Sequence, residues 1–401
     1  MSDINELANK LASHYSYFNV SERLLFTGHS HQAWPDIAFE GLKEAFLTAA
    51  DEVDKKWTSA FKKTEIMRRY LRNFYDDPMG HYSLSQSTHD LIIRWLSSFD
   101  LKSNPRIVIT DSEFYSIDRQ MKRLEEEGIE IVRVPALPLD GFAERFEKAI
   151  SDHTAAAMIS HIYFNSSLIN NEISEAAKVC RKQGVPLLID DYHGTNVVPF
   201  SIREQEMEDC YFLIGGYKYL QWGEGNCFLR YPADCSLRPV ITGWFSAFET
   251  LSQPQNDRVE YPSVENRFWG ATYDPSSQFR AAKVVEFFQD QGLTPDSLHQ
   301  DYRRKTAYLK QQFEQRDLNP DYIRLAHTYP IERNGGFIAF ISPGANEIRK
   351  ALLKRNIFTD SRANIIRFGP APYVTGEQIE EAMSALEEVV QSFFKKKGLK
   401  A

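Results

Sequence analysis

Apolar positions along this chain follow two alternating rhythms. Short runs are apolar at nearly every residue, over 106–110, 129–134, 155–159, 185–189, 211–214 and 227–230. Such runs fit strands buried on both faces of a parallel sheet. Between them, apolar residues recur every three or four positions. Leu91, Ile92, Trp95, Leu96 and Phe99 show this helical spacing, and residues 142–150 and 173–182 behave likewise. Repeated strand–helix alternation predicts a large α/β domain over 71–275, a mostly parallel sheet between helices.

The rhythm changes after residue 275. Long helical patterns at 279–291 and 302–313 are followed by a strand at 336–341, a helix at 346–354, a strand at 364–368 and a final helix. That helix opens on Thr375-Gly376-Glu377-Gln378, the spacing of a capping box, and is expected to close near Gly398. This predicts a smaller α+β C-terminal domain over 276–401. Residues 1–70 read as a mostly helical entry segment around the irregular loop Thr27-Gly28-His29-Ser30-His31-Gln32-Ala33-Trp34-Pro35-Asp36.

With 401 residues, 42% of them hydrophobic and 25% charged, the chain can bury a sizeable core without covalent staples. Its formal net charge of -8 offers no basic field to attract nucleic acid or an anionic membrane. No apolar run approaches the ~18 residues of a membrane span. The first residues lack the features of a secretory signal. The cysteines Cys180, Cys210, Cys227 and Cys235 form no C-x-x-C pair. A zinc site or redox dithiol is therefore not expected, and the expected setting is a reducing cytoplasm.

The most informative chemistry is a lysine and an acid pair. Asp190-Asp191 closes the apolar run at 185–189, and Lys218 follows Asp190 by 28 positions in Gly215-Gly216-Tyr217-Lys218-Tyr219-Leu220. A lysine amine at a sheet end can bind a carbonyl covalently. A carboxylate at the end of a neighbouring strand can keep a pyridine nitrogen protonated. Together these are a protein's share of pyridoxal-phosphate (PLP) chemistry. The alternative for Lys218 is a solvated lysine beside a strand-end aspartate.

Other segments suit the same cofactor. Ser85-Gln86-Ser87-Thr88-His89-Asp90 precedes a helix, where amides and hydroxyls can hold phosphate or simply cap the helix. Phe114 and Tyr115 follow the run at 106–110 and reach the sheet edge where open α/β sheets bind ligands. Arg367 ends an apolar strand, placed to grip a substrate carboxylate or to tie two domains together. His29, His31, His89 and His193 lie in loops beside these segments. A hydrolase triad is a weak rival, because Gly28-His29-Ser30-His31-Gln32 fails the Gly-x-Ser-x-Gly pattern at its last position. Gly223-Glu224-Gly225-Asn226 opens no helix, which argues against a dinucleotide site.

In this order, the pieces resemble the fold-type-I PLP enzymes of the class-V aminotransferase group, and kynureninases most of all. Asp190-x-x-His193, Tyr217-Lys218-Tyr219-Leu220 with Gly223-Glu224-Gly225, Gly243-Trp244-Phe245 and Ile366-Arg367-Phe368-Gly369 with Pro372 and Tyr373 carry the likeness. The resemblance implies that Lys218 anchors the cofactor and moves the substrate's α-proton. Asp190 would pair with the pyridine nitrogen. Ser87, Thr88, Tyr217 and Trp244 would hold the phosphate. Phe114, or Tyr115 one position on, would stack on the ring. Ser166 and His193 would lie near the ring, and Arg367 would bind the α-carboxylate. His29 and His31 stand in the entry loop that shapes specificity. A homodimer is implied, with the segment 270–275, including Thr272, reaching the partner's phosphate.

The activity implied is that of a PLP-dependent enzyme on a small-molecule α-amino acid. It would be a kynureninase-like Cβ–Cγ hydrolase or β-lyase, working through an aldimine and a quinonoid. A class-V aminotransferase is the runner-up, and a non-catalytic PLP-fold binding protein a third reading. Related cysteine desulfurases carry a persulfide cysteine shortly before the carboxylate arginine, and residues 356–366 contain none.

Overall fold

Runs that are apolar on both faces leave only their backbone groups unsatisfied, so they pair edge to edge. In the computed structural model, which describes residues 2–254, 257–262 and 264–396, they build a seven-stranded sheet. Its strands are β1 (His81–Ser85), β2 (Arg106–Thr110), β3 (Glu130–Val134), β4 (Thr154–Ser160), β5 (Leu187–Asp190), β6 (Tyr211–Gly215) and β7 (Cys227–Tyr231). The order is β1-β7-β6-β5-β4-β2-β3. Only β7 runs against the rest, pairing antiparallel with β1 and β6; the other pairs are parallel. Alternate residues enter opposite cores. Val108, Ala157, Ile189 and Phe212 face one, while Ile107, Met158, Leu188 and Leu213 face the other beneath Leu91 and Trp95.

The chain steps outward from β2 to β3, then returns past β2 to β4 and β5. This reversal opens a crevice beyond the carboxyl ends of β2 and β4. Strand β1 escapes the sequence pattern because it alternates polar residues with Tyr82 and Leu84. Its Ser83 hydroxyl instead meets the Tyr231 hydroxyl at 3.0 Å. The helix Tyr115–Glu126 also lacks a clear signal, since Ile117 and Met121 are its only buried apolar side chains.

After β7 come the helices Ser276–Asp290 and Pro295–Glu314, then an antiparallel four-stranded sheet. Its order is Asp360–Arg362, Ile365–Phe368, Ile338–Ile341, Arg324–Leu325. The final helix, Gly376–Lys396, opens with the expected reciprocal cap. Gln378 N donates to Thr375 Oγ1 at 3.2 Å, and Thr375 N donates to Gln378 Oε1 at 3.1 Å. Its expected end near Gly398 lies outside the described residues.

The N-terminal segment holds the helices Ser2–Leu11, Ile37–Glu52 and Lys56–Phe74. It also pairs with the far end of the chain. Leu24–Leu25 runs parallel to Ile357–Phe358, and Thr27 bridges Gly369. The entry loop is thereby laid against the strand that carries Arg367. Among the described residues, no helix is long and apolar enough to cross a membrane.

Candidate active site

A cavity of about 270 Å³ opens at the switch point, lined by residues from six separate segments. Gln86, Ser87, Thr88 and His89 come from the start of the helix α1 (Thr88–Leu96). Ser87 is its N-cap and accepts from Asp90 N at 3.2 Å. The first amides of a helix have no intrahelical partner, so this rim can receive an anion.

Asp190 and Lys218 share the cavity. The acid pair divides by strand alternation. Asp190 turns to the cavity and accepts from Tyr192 N at 3.0 Å. Asp191 turns away and is consumed there, accepting from Tyr75 Oη at 2.5 Å and lying 2.6 Å from His161 Nδ1. Lys218 is only 4% exposed. Its Nζ lies 3.0 Å from His193 Nε2 and 4.3 Å from the centre of the Tyr192 ring. Burial lowers the amine's pKa; Asp190 opposes that shift and Arg367 adds to it. Burial likewise raises Asp190. His193 is driven well below its ordinary range by burial and by the Lys218 charge, so its neutral ring accepts from Nζ.

Phe114, not Tyr115, lines the cavity, with its ring centre 5.3 Å from Lys218 Nζ. Tyr115 is 48% exposed and sets its ring edge-on to Phe164, with ring centres 5.3 Å apart. Phe114 is positioned by its neighbour Glu113, a buried carboxyl that accepts from Thr110 Oγ1 and Ser160 Oγ, each at 2.6 Å. These bonds tie the ends of β2 and β4 together. Burial pushes Glu113 up to about 7. Tyr192 also lines the cavity, and its ring crosses the backbone of Gly215. A Cβ there would lie 1.7 Å from Tyr192 Cζ, so only glycine fits.

Arg367 is buried beyond the residues that line the cavity, its charge acts on Lys218, and its guanidinium is engaged. Nε donates to Asp360 Oδ1 at 2.8 Å, Nη2 donates to Asp360 Oδ2, and Nη1 donates to the Phe164 carbonyl at 2.7 Å. His29 Nε2 joins the same carboxylate at 3.0 Å. Burial lowers His29 to about 4, while His29 and Arg367 hold Asp360 far below the usual carboxylate range. His31 stacks on Tyr217 with ring centres 4.8 Å apart. Ser166 does not line the cavity; its hydroxyl accepts from Leu168 N at 3.3 Å. Trp244 and Thr272 also lie outside it, where Trp244 Nε1 donates to Thr272 Oγ1 at 3.1 Å. The sequence reading missed Tyr192, Glu113 and Asp360. Tyr192 follows the acid pair directly and was within its reach; Asp360 meets Arg367 only through strand pairing.

The donor set fits pyridoxal phosphate. A buried amine of lowered pKa suits an aldehyde, a strand-end carboxylate suits a pyridine nitrogen, Phe114 and Tyr192 offer aromatic surface, and the start of α1 suits a phosphate.

Residues 299–386 match the model of the kynureninase C-terminal domain. An uncharacterized aminotransferase, YcbU of Bacillus subtilis, is 23% identical over 337 residues, 82% of this chain and 85% of its own. Cysteine desulfurase IscS of Rickettsia massiliae is 27% identical over 165 residues, 39% of this chain and 38% of its own. Among solved structures, the cystine C–S lyase C-DES in complex with its product cysteine persulfide superposes with a TM-score of 0.79. That match is 18% identical and covers 92% of this chain and 98% of the lyase. The cysteine desulfurase of Thermococcus onnurineus superposes at 0.78, with 15% identity over 96% of this chain and 98% of its own. Likeness at these identities shows the fold. The family match and the curated relatives make this chain similar to the class-V PLP-dependent group, and the solved structures show that it shares their fold.

Proposed function

We propose that this protein is a PLP-dependent enzyme acting on an α-amino acid and breaking a bond at Cβ, in the manner of a kynureninase or a β-lyase. The observation that carries this reading is Lys218. Its amine is buried, lowered to about 7, within hydrogen-bonding distance of His193 and in one cavity with Asp190. A titrating amine at neutral pH is fit both to bind a carbonyl and to carry a proton.

Bound there, the cofactor supplies the electron sink that lets a bond to the substrate's Cα break. The chain's residues do the rest. Lys218 Nζ anchors the cofactor and then holds or returns the proton at Cα. His193 Nε2 accepts from Nζ and fixes its place. Asp190 presents its charge to the ring nitrogen. Phe114 and Tyr192 keep water from the amine. The arginine-bearing hairpin of residues 360–368 receives the substrate's carboxylate.

Cβ cleavage is supported by the kynureninase-type match over 299–386 and by the C–S lyase fold neighbour. Transamination is the second reading, supported by the aminotransferase relative that spans 82% of this chain. Persulfide transfer finds no thiol to serve it. Cys227 lines the cavity, but burial pushes it up to about 11, which leaves a protonated, unreactive thiol. We also infer a homodimer in a reducing cytoplasm. Phe39, Phe46 and Leu47 of the helix Ile37–Glu52 are exposed apolar surface that a second copy would cover.

A panel of L-amino acids supplied to the cofactor-loaded protein tests the reaction. Alanine or pyruvate released without any amino acceptor is expected. A keto acid formed only with an acceptor selects transamination, and no product from any amino acid refutes the enzyme reading.

A further inference from the structure

The turn Trp222–Gly225 follows Lys218 and leads into β7, and its carbonyls are gripped from one side. Arg280 Nε donates to the Trp222 carbonyl at 2.8 Å, and Nη2 donates to the Glu224 carbonyl. Ser277 Oγ and Gln278 Nε2 donate to the Gly225 carbonyl at 3.2 and 3.3 Å. All of these donors lie on the helix Ser276–Asp290. In a trans peptide, the N–H of the next residue points opposite to the carbonyl. The Gly225 N–H, joined to the Glu224 carbonyl, is therefore turned away from that helix, to the side where Glu224 and Gly225 line the cofactor cavity. It has no acceptor among the described residues. The turn needs glycine for this: Gly223 and Gly225 hold φ of 68° and 87°, and a Cβ on Gly223 would lie 2.6 Å from Arg280 Cζ.

The same amide lies beside the start of α1. The last pair between β1 and β7 is Ser85 with Cys227, and Cys227 Sγ donates to the Gln86 carbonyl at 3.8 Å. The two segments leave the sheet side by side. Gln86, Ser87 and Thr88 on one, and Glu224 and Gly225 on the other, line one cavity. An anion received by the first amides of α1 thus meets a second wall of N–H groups.

Arg280 brings a charge to this wall. It is 8% exposed, and its guanidinium lies 4.3 Å from the centre of the Trp34 ring. Among the described residues no carboxylate oxygen lies within 4.0 Å of it. A buried cation held only by carbonyls is costly, and an anion in the cavity offsets that cost. The cation also polarises the peptides that it grips, which makes their N–H groups stronger donors.

We propose that Arg280 is a positioning residue for the cofactor's phosphate: by holding the Trp222 and Glu224 carbonyls, it aims the Gly225 amide at the phosphate from the side opposite Ser87 and Thr88.

This inference rests on the cofactor assigned to the cavity. Its test uses the full chain stripped of cofactor and two probes that form no bond with Lys218, pyridoxamine phosphate and pyridoxamine, which differ only by the phosphate. Calorimetry gives both dissociation constants for wild type, R280M and R280K, alongside the melting temperature of each. Wild type is expected to favour the phosphorylated probe. R280M is expected to bind that probe about ten- to a hundredfold more weakly, as for loss of a charge-assisted contact, with pyridoxamine changed by less than about twofold. R280K should keep part of the preference, because an ammonium reaches one carbonyl and cannot fork across two. An R280M protein with the wild-type ratio of the two constants overturns the proposal. So does one that loses both probes equally, which marks Arg280 as structural only. If R280M does not fold, an R280K protein with an unchanged ratio overturns it. A wild type that binds the two probes equally overturns the phosphate-binding reading of the cavity itself.

Discussion

Replacing Lys218 by Met should stabilise the cofactor-free protein at pH 6.5, and the gain should fade as pH rises. The folded pKa of about 7 lies below the ordinary 10.5. Between those values the unfolded chain binds a proton that the folded chain does not, so stability rises with pH across the window. The cost of the buried amine is therefore full below pH 7 and gone above 10.5. A shift of this size corresponds to roughly 4.5 kcal/mol at pH 6.5 and about 1.5 kcal/mol at pH 9.5, at ~1.4 kcal/mol per unit. The His193 Nε2 acceptor left without Nζ costs about 1–3 kcal/mol. That loss is the same at both values, because His193 stays neutral throughout. The difference between the two pH values is thus the clean quantity, about 3 kcal/mol more stabilisation at pH 6.5. Denaturant titration of wild type and K218M, both stripped of cofactor, measures it. An effect equal at the two pH values, or larger at 9.5, would show that Lys218 titrates as a solvated amine and would refute the burial argument.

Asp190→Asn should keep the fold and the bound cofactor while lowering turnover by about two orders of magnitude or more, since a neutral amide cannot hold a protonated ring nitrogen. Steady-state rates for D190N and D191N separate the two acids: D191N should act on thermal stability, through its lost Tyr75 and His161 contacts, with the cofactor spectrum unchanged. Gly215→Ala should cost about 1–3 kcal/mol by forcing the Tyr192 ring aside. Its melting temperature and cofactor absorbance should shift together, and a variant with both unchanged would remove Tyr192 from the cavity wall.

Much of this architecture was legible in the one-dimensional pattern. Doubly buried parallel strands must be apolar at nearly every residue, which is why the runs ending at Thr110 and Asp190 could be read directly. The Lys218 and Asp190 pairing was legible because the groups lie at strand ends, where a short motif carries its own geometry. Strand β1 was not legible, because its serines are satisfied by partners far along the chain. The choice between Asp190 and Asp191 needed the direction of each side chain at the end of β5. The choice between Phe114 and Tyr115 needed the start of a helix with only two buried apolar residues. Above all, the sequence by itself determined that Arg367 closes an apolar strand, but not that its charge is already spent. That was decided by an antiparallel register setting Asp360 opposite it, and by the pairing of Leu24–Leu25 with Ile357–Phe358 that lays His29 on the same carboxylate. Hydrogen bonding between segments hundreds of residues apart leaves no periodic trace in either one, so only the folded chain shows which partners these side chains take.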